Sequence, residues 1–105
     1  MDVGRAPEDA ELADVLDDLG SPSAVTLDML AEKARYLRED FYAWLTDRKN
    51  RRQIPHRMES AGYVPVRNDM AQDGLWRIRG RRQAVYAVKT LPPPDRMRAA
   101  TQLTR

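Results

Sequence analysis

The spacing of apolar residues changes at Gly62, and this change constrains the fold more than any other feature of the sequence. Before Gly62, apolar residues recur every three or four positions, as on one face of an α-helix. After it they alternate with polar residues, as in a half-buried β-strand. A chain of 105 residues has the size of one domain. The sequence therefore predicts an α+β fold in which helices precede a small antiparallel sheet.

Two helical stretches are expected first. One is acidic and lies within residues 7–20, and its apolar face is formed by Leu12, Val15, Leu16 and Leu19. The other begins at Thr26, a favourable N-cap, and continues to Asp47. No Gly or Pro interrupts it, but Asp40 is a favourable N-cap for a new helix, and we expect a bend there.

The third helix is short. Asn50 and Gln53 have the spacing of a capping box, Pro55 suits a first turn, and Gly62 ends the helix. One apolar stripe faces the core and consists of Ile54, Met58 and Ala61. We therefore expect the Arg57 side chain to point outward, away from that stripe.

Three strands are expected after the helices, at residues 63–67, 75–78 and 83–88. Pro65 makes the first of them an edge strand. The chain thus divides into an acidic N-terminal helix with a linker (1–24), a central domain (25–91) and a Pro-rich tail that could form a short helix (92–105).

Two registers are open to the hairpin formed by the last two strands. A two-residue turn at 79–80 would pair Trp76 with Gln83, whereas a four-residue loop at 79–82 would pair Trp76 with Val85. Aromatic and β-branched side chains make favourable cross-strand pairs. We therefore expect the four-residue loop, which carries three arginines.

The two halves of the chain have opposite charge. Residues 1–46 hold 11 acidic and 4 basic side chains, and residues 47–105 hold 5 and 14. The chain has no cysteine, which excludes disulfides and thiolate metal sites, and no apolar run approaches the roughly 18 residues that span a bilayer. We expect a cytoplasmic protein with no membrane contact whose basic half binds a polyanion. The alternative is a solvated surface with unevenly placed charges.

The order of helices, strand and basic hairpin is typical of a winged helix-turn-helix, here with an extra N-terminal acidic helix. In that architecture the last helix enters the major groove and the wing contacts the DNA backbone or minor groove. Arginines mostly neutralise phosphates, and Arg57 is our candidate for bridging a guanine edge. The expected nucleic-acid-binding residues are Lys49, Arg51, Arg52, His56, Arg57, Arg67, Arg77, Arg79, Arg81 and Arg82.

Residues 47–88 resemble winged-helix modules found near the C-terminal ends of phage and plasmid primase–helicase proteins. The resemblance lies in an arginine-rich reading helix, a Gly-Tyr entry into the first strand, a Gly-Leu-Trp strand and an Arg-Gly-Arg-Arg wing. It implies an accessory DNA-binding role in the replication or maintenance of a phage or mobile element, with a larger replication protein as a further partner. Duplex DNA is the favoured partner, and single-stranded DNA is the alternative. The sequence has no Gly-rich phosphate loop followed by Lys-Ser/Thr, so we expect no motor activity.

Two other functions remain open. A protein–protein module would use the acidic N-terminal half or the basic wing. A metal-dependent nuclease would use Asp69 and Asp73, although loop acids more often cap their own backbone amides. His56, the only histidine, lacks the partners that catalysis or metal binding requires. We therefore expect no enzyme, no catalytic residue, no cofactor and no metal.

The aromatic residues divide between core and surface roles. Trp76 alternates with apolar residues and is expected in the sheet core rather than as a stacking platform for unpaired bases. Tyr63 fits either role. Phe41 and Trp44 lie on the apolar stripe of the second helical stretch and are expected in the core.

Overall fold

The computed structural model describes residues 7–105. Within this range, helices and short strands follow one another along the chain. In order, the elements are α1 (Pro7–Asp18), β1 (Ala24–Thr26), α2 (Leu27–Leu37), α3 (Glu39–Thr46), a 3₁₀ helix (Arg48–Gln53), α4 (Ile54–Ser60), β2 (Tyr63–Val66), β3 (Trp76–Ile78), β4 (Arg81–Gln83), β5 (Val85–Val88) and α5 (Pro93–Leu103). The fold is α+β, as predicted, and the order of its elements is compatible with a winged-helix arrangement.

Local signals account for the ends of the first helices. Gly20 follows α1 with a φ of 84°, and the Ser21 N–H donates to the Leu16 carbonyl at 2.9 Å, which closes a Schellman turn. Thr26 caps α2 as predicted, because its hydroxyl oxygen accepts from the Met29 N–H at 3.2 Å. The break between α2 and α3 falls at Arg38, two residues before the predicted bend.

Tertiary contacts explain the position of that break. The Arg38 guanidinium lies among three carboxylates of α1, those of Glu11, Asp14 and Asp18, at 3.4, 3.7 and 3.6 Å. No side chain caps α3, so Asp40 does not act as an N-cap. The predicted bend was therefore misplaced, because the capping signal at Asp40 does not set the start of α3.

The predicted capping box at Asn50 is wrong. Asp47 caps the 3₁₀ helix instead, and its Oδ1 accepts from the Lys49 N–H at 3.1 Å. Asn50 is buried, and its side-chain amide donates to the Trp44 carbonyl at 2.9 Å. Asn50 thus anchors the 3₁₀ helix to the end of α3. The regular helix α4 begins at Ile54 with Pro55 in its first turn, as predicted.

β5 is the central strand of a three-stranded antiparallel sheet with the order β1–β5–β2. β1 was not predicted, because three residues are too few to show an alternating pattern. Pro65 lies in β2 at the edge of this sheet, which confirms its predicted place. The strand predicted at 83–88 is interrupted at Ala84, which separates β4 from β5.

The predicted four-residue hairpin loop is wrong. β3 and β4 form a separate two-stranded sheet in which Trp76 pairs with Gln83, and the turn consists of Arg79 and Gly80 alone. Both turn residues have positive φ, 52° and 78°, as a type I′ turn requires. Val85 cannot face Trp76 across this hairpin because it pairs with β1 and β2. Only one arginine therefore lies in the turn.

The core consists of two clusters, one on each face of the three-stranded sheet. The first joins α1 to α4 and includes Leu12, Leu30, Phe41, Met58 and Tyr86. The second joins the sheet and the β3–β4 hairpin to α5 and includes Val66, Trp76, Ile78, Val85 and Ala100. Both terminal helices thus pack on the central elements, and the boundary expected after residue 24 falls inside β1.

No helix within residues 7–105 combines the length and the apolar character needed to cross a membrane.

Candidate nucleic-acid interface

The 3₁₀ helix presents a group of cations that we call the basic segment: Arg48, Lys49, Arg51 and Arg52. All four are exposed. Asn50 is buried in the middle of the segment and fixes its backbone, so the flanking side chains extend into solvent. Among residues 7–105, the three arginines have no acidic side chain within ion-pair distance. The Lys49 ammonium lies 3.8 Å from Oδ2 of Asp47, the N-cap of the 3₁₀ helix. The basic segment is therefore available to an anion.

A groove of about 660 Å³ is lined by Arg51 of the basic segment and by Arg81 and Arg82 of the β3–β4 hairpin. Its lining also contains apolar side chains from the first core cluster and the carboxylates of Asp28 and Asp47. Cations that are about 30 positions apart in the sequence thus face one cleft.

The hairpin arginines differ from the basic segment because acids contact most of them. Arg81 Nη1 lies 2.8 Å from Asp28 Oδ2, and Arg79 Nη1 lies 4.0 Å from Glu32 Oε2. Arg82 pairs with Asp73 of the neighbouring loop. Arg77 is exposed on β3 and has no ion-pair partner in the described part of the chain.

Asp73 organises the loop before β3. Its Oδ1 accepts from the Leu75 backbone N–H at 3.0 Å, so it caps its own loop in the manner expected for such acids. That hydrogen bond, followed by the contact with Arg82, holds the pKa of Asp73 below its ordinary value. Asp69 is exposed nearby, and within residues 7–105 no three His, Asp or Glu side chains cluster in a way that could hold a metal ion.

Arg57 does not point outward, and that expectation was wrong. Its Nη1 lies 3.6 Å from Asp9 Oδ2 of α1, and the two side chains are only 19% and 7% exposed. Its Nη2 also donates to the Gln53 side chain at 3.4 Å. α1 packs on α4 and places a buried carboxylate beside the guanidinium, which the sequence of α4 alone does not reveal. His56, the preceding residue, is exposed.

Arg67 has a structural role in the loop between β2 and β3. Its Nη2 donates to the Gln72 carbonyl at 2.7 Å, and its side chain crosses directly over Gly74. A Cβ on Gly74 would lie 2.8 Å from the guanidinium, and the φ of this glycine is 72°. The backbone there therefore requires glycine.

Trp76 lies in the core, as predicted. It is 6% exposed, and its indole N–H donates to the Val66 carbonyl at 2.7 Å. Tyr63 is also buried, and its hydroxyl donates to the Pro22 carbonyl. Burial raises the pKa of Tyr63. Phe41 is buried as expected, whereas Trp44 stacks on it with a 6.0 Å centroid distance and is only partly covered.

The structure brings together three of the predicted residues, Arg51, Arg81 and Arg82, around the groove. Two others, Arg57 and Arg67, are held by internal contacts. Arg48 is exposed in the same run, DRKNRR, but is not among the predicted residues. Comparison of the chain with protein-family models, with curated proteins and with solved structures gave no match in any of the three.

Proposed function

We propose that this protein is a winged-helix DNA-binding module that holds duplex DNA mainly through its phosphates. The observation that carries the proposal is the groove that Arg51 shares with Arg81 and Arg82. Guanidinium groups that come from two distant segments and line one cleft suit a ligand with a row of regularly spaced negative charges.

The order of elements supports a winged helix. α4 immediately precedes the sheet, as the reading helix does in that architecture, and the β3–β4 hairpin takes the position of the wing. α1 contributes Leu12 and Val15 to the core between the helices. It is thus the first helix of the proposed module rather than an addition to it.

The contacts of Arg57 favour binding that tolerates many sequences. Arg57 was the residue expected to bridge a guanine, and its guanidinium is held against Asp9 instead. The exposed cations of the basic segment and of the β3–β4 hairpin are arginines and one lysine, and their contacts to phosphate need no base-specific geometry. The proposal therefore predicts similar affinity for unrelated duplexes.

A role in the replication or maintenance of a phage or mobile element rests on the resemblance of residues 47–88. In such a role the module would hold DNA near a larger replication protein. The accessory role is part of the same proposal.

Fluorescence anisotropy of a labelled duplex, measured at several salt concentrations, tests the proposal. Neutralisation of about six phosphates predicts a log–log slope of about −5. Arg51→Ala with Arg52→Ala should make the slope less steep by about two units and weaken binding about tenfold or more at low salt. The matched control is Lys89→Ala with Arg98→Ala, which removes the same charge from residues outside both the basic segment and the groove lining.

Three results would contradict the proposal. These are an affinity that does not depend on salt, an equal loss in both double variants, and no binding to any duplex. A single strand of the same length, measured in parallel, reports whether duplex DNA is preferred.

A second candidate function, a protein–protein module, is favoured by one specific observation. Tyr36 and Leu37, adjacent at the end of α2, are 77% and 74% exposed, and exposed apolar patches can mark protein–protein interaction sites. The acidic face of α1 is a weaker candidate, because three of its carboxylates surround Arg38. Tyr36→Ser with Leu37→Ser should abolish self-association or partner binding and leave DNA affinity unchanged if this candidate is right.

A further inference from the structure

Two acids of α2 contact the arginines at the end of the β3–β4 hairpin. Asp28 and Glu32 are four positions apart, so they lie one above the other on the same face of α2. Asp28 contacts Arg81 at 2.8 Å across 53 residues of sequence, and Glu32 contacts Arg79 at 4.0 Å. The acidic half of the chain thus neutralises part of the basic half across the fold.

These contacts are exposed to solvent. The four side chains are between 46% and 85% exposed, so each arginine can leave its acid without moving the backbone. The hairpin itself does not depend on them, since Trp76 and Ile78 fix it to the second core cluster. Exposed ion pairs of this kind contribute little to stability. Their main effect is on the charge that the hairpin presents.

A carboxylate and a phosphate compete for the same guanidinium. A hydrogen bond from Arg81 to DNA must replace its hydrogen bond to Asp28, whereas Glu32 only lies near Arg79, at 4.0 Å. Both acids then lie close to the DNA and repel it. We propose that Asp28 and Glu32 are an internal competitor for the phosphate backbone, which occupies Arg81 and Arg79 in the free protein and weakens DNA binding. This inference rests on the proposed function and names how that site is regulated.

The competition predicts how DNA binding should change when the two acids are removed. Removing these acids should tighten binding and should also steepen its salt dependence, because two more guanidinium groups then reach phosphate without first giving up a partner. The basic segment should be unaffected, since its arginines have no acidic partner within residues 7–105. Asp28 and Glu32 would thus reduce the affinity of the free protein for polyanions in general.

The test compares duplex affinity and salt slope in Asp28→Asn with Glu32→Gln against the wild-type protein. The matched control is Glu39→Gln with Asp40→Asn, which removes the same charge from exposed acids in the first turn of α3. We expect about three- to tenfold tighter binding for the α2 variant and at most about twofold for the control, because the control acids pair with neither hairpin arginine and lie outside the groove lining. Thermal melting checks that both variants are folded.

A second background identifies the arginines as the target. In Arg79→Ala with Arg81→Ala, the same α2 substitutions should give no more gain than the control substitutions. Equal gains in the α2 and control variants, or a gain that persists without the two arginines, would overturn the competition while leaving DNA binding intact. A complete lack of duplex binding by every variant would instead overturn the proposed function, and this inference with it.

Discussion

Replacement of Trp76 tests how the hairpin is held in place. The ring packs in the second core cluster with Val66, Val85 and Ala100, and its N–H donates to the Val66 carbonyl at 2.7 Å. Trp76→Ala removes both the packing and the bond, and such truncations in a core cost about 3–5 kcal/mol. A domain of this size has a free energy of unfolding of about 5–15 kcal/mol, so much of the stability should be lost.

Trp76→Phe separates the two contributions. Phe keeps most of the apolar contact but removes the donor, and a buried carbonyl without a partner costs about 1–3 kcal/mol. The Phe variant should therefore unfold at a denaturant concentration between those of the wild type and the Ala variant. Urea unfolding followed by circular dichroism measures all three, and Trp44→Phe, at a partly covered site, is the control with the smaller expected loss.

One result would refute this reasoning. If Trp76→Ala unfolds at the wild-type urea concentration but binds single-stranded DNA less tightly, Trp76 is a stacking platform and not a core residue. A normal midpoint with normal DNA binding would equally show that the ring is not needed to fix the hairpin.

Three further predictions concern ion pairs and the hairpin turn. Asp9→Ala should lower the free energy of unfolding by about 2–4 kcal/mol, because it leaves the largely buried Arg57 guanidinium without its acid. In a double-mutant cycle, adding Arg57→Ala should restore part of that loss. Arg79→Asn should stabilise the protein by about 0.5–1 kcal/mol in urea unfolding, since Asn tolerates the positive φ better; no gain would contradict the turn assignment. The pKa of Asp73 is depressed, so its contribution to stability is present above the ordinary pKa of Asp and is lost as pH falls through the lower folded value. Carboxyl NMR titration should show that Arg82→Ala raises this pKa only part of the way to normal, because the stronger cause is a backbone hydrogen bond; full recovery would refute that order.

The candidate site could be predicted in part. The run at residues 47–52 follows α3 and enters the 3₁₀ helix, and four of its residues are basic. Any such run on a surface suggests contact with a polyanion. The hairpin arginines were predicted from the same composition. Which of these cations have an acidic partner could not be predicted, because Arg57 and Arg81 meet carboxylates that are far away in the sequence.

The hairpin shows how a sound local argument can give the wrong register. The pairing of Trp76 with Val85 was favoured because it is the better isolated cross-strand pair. In the structure Val85 belongs to the central strand and Trp76 packs between the sheet and α5. Burial in the common core outweighs the gain from one cross-strand pair, so the turn shortens to two residues.

The sequence by itself determined the fold class and most of the order of the elements. Four features act through local backbone geometry and apolar spacing, and each had the predicted result. They are the change of period at Gly62, the Thr26 cap, Pro55 in the first turn of α4 and Pro65 in an edge strand. The tertiary structure alone decided the short strand β1, the hairpin register and the partners of the arginines. These depend on which distant segments pack together, since a strand of three residues is stabilised only by its neighbours and an arginine binds whichever carboxylate the fold places beside it.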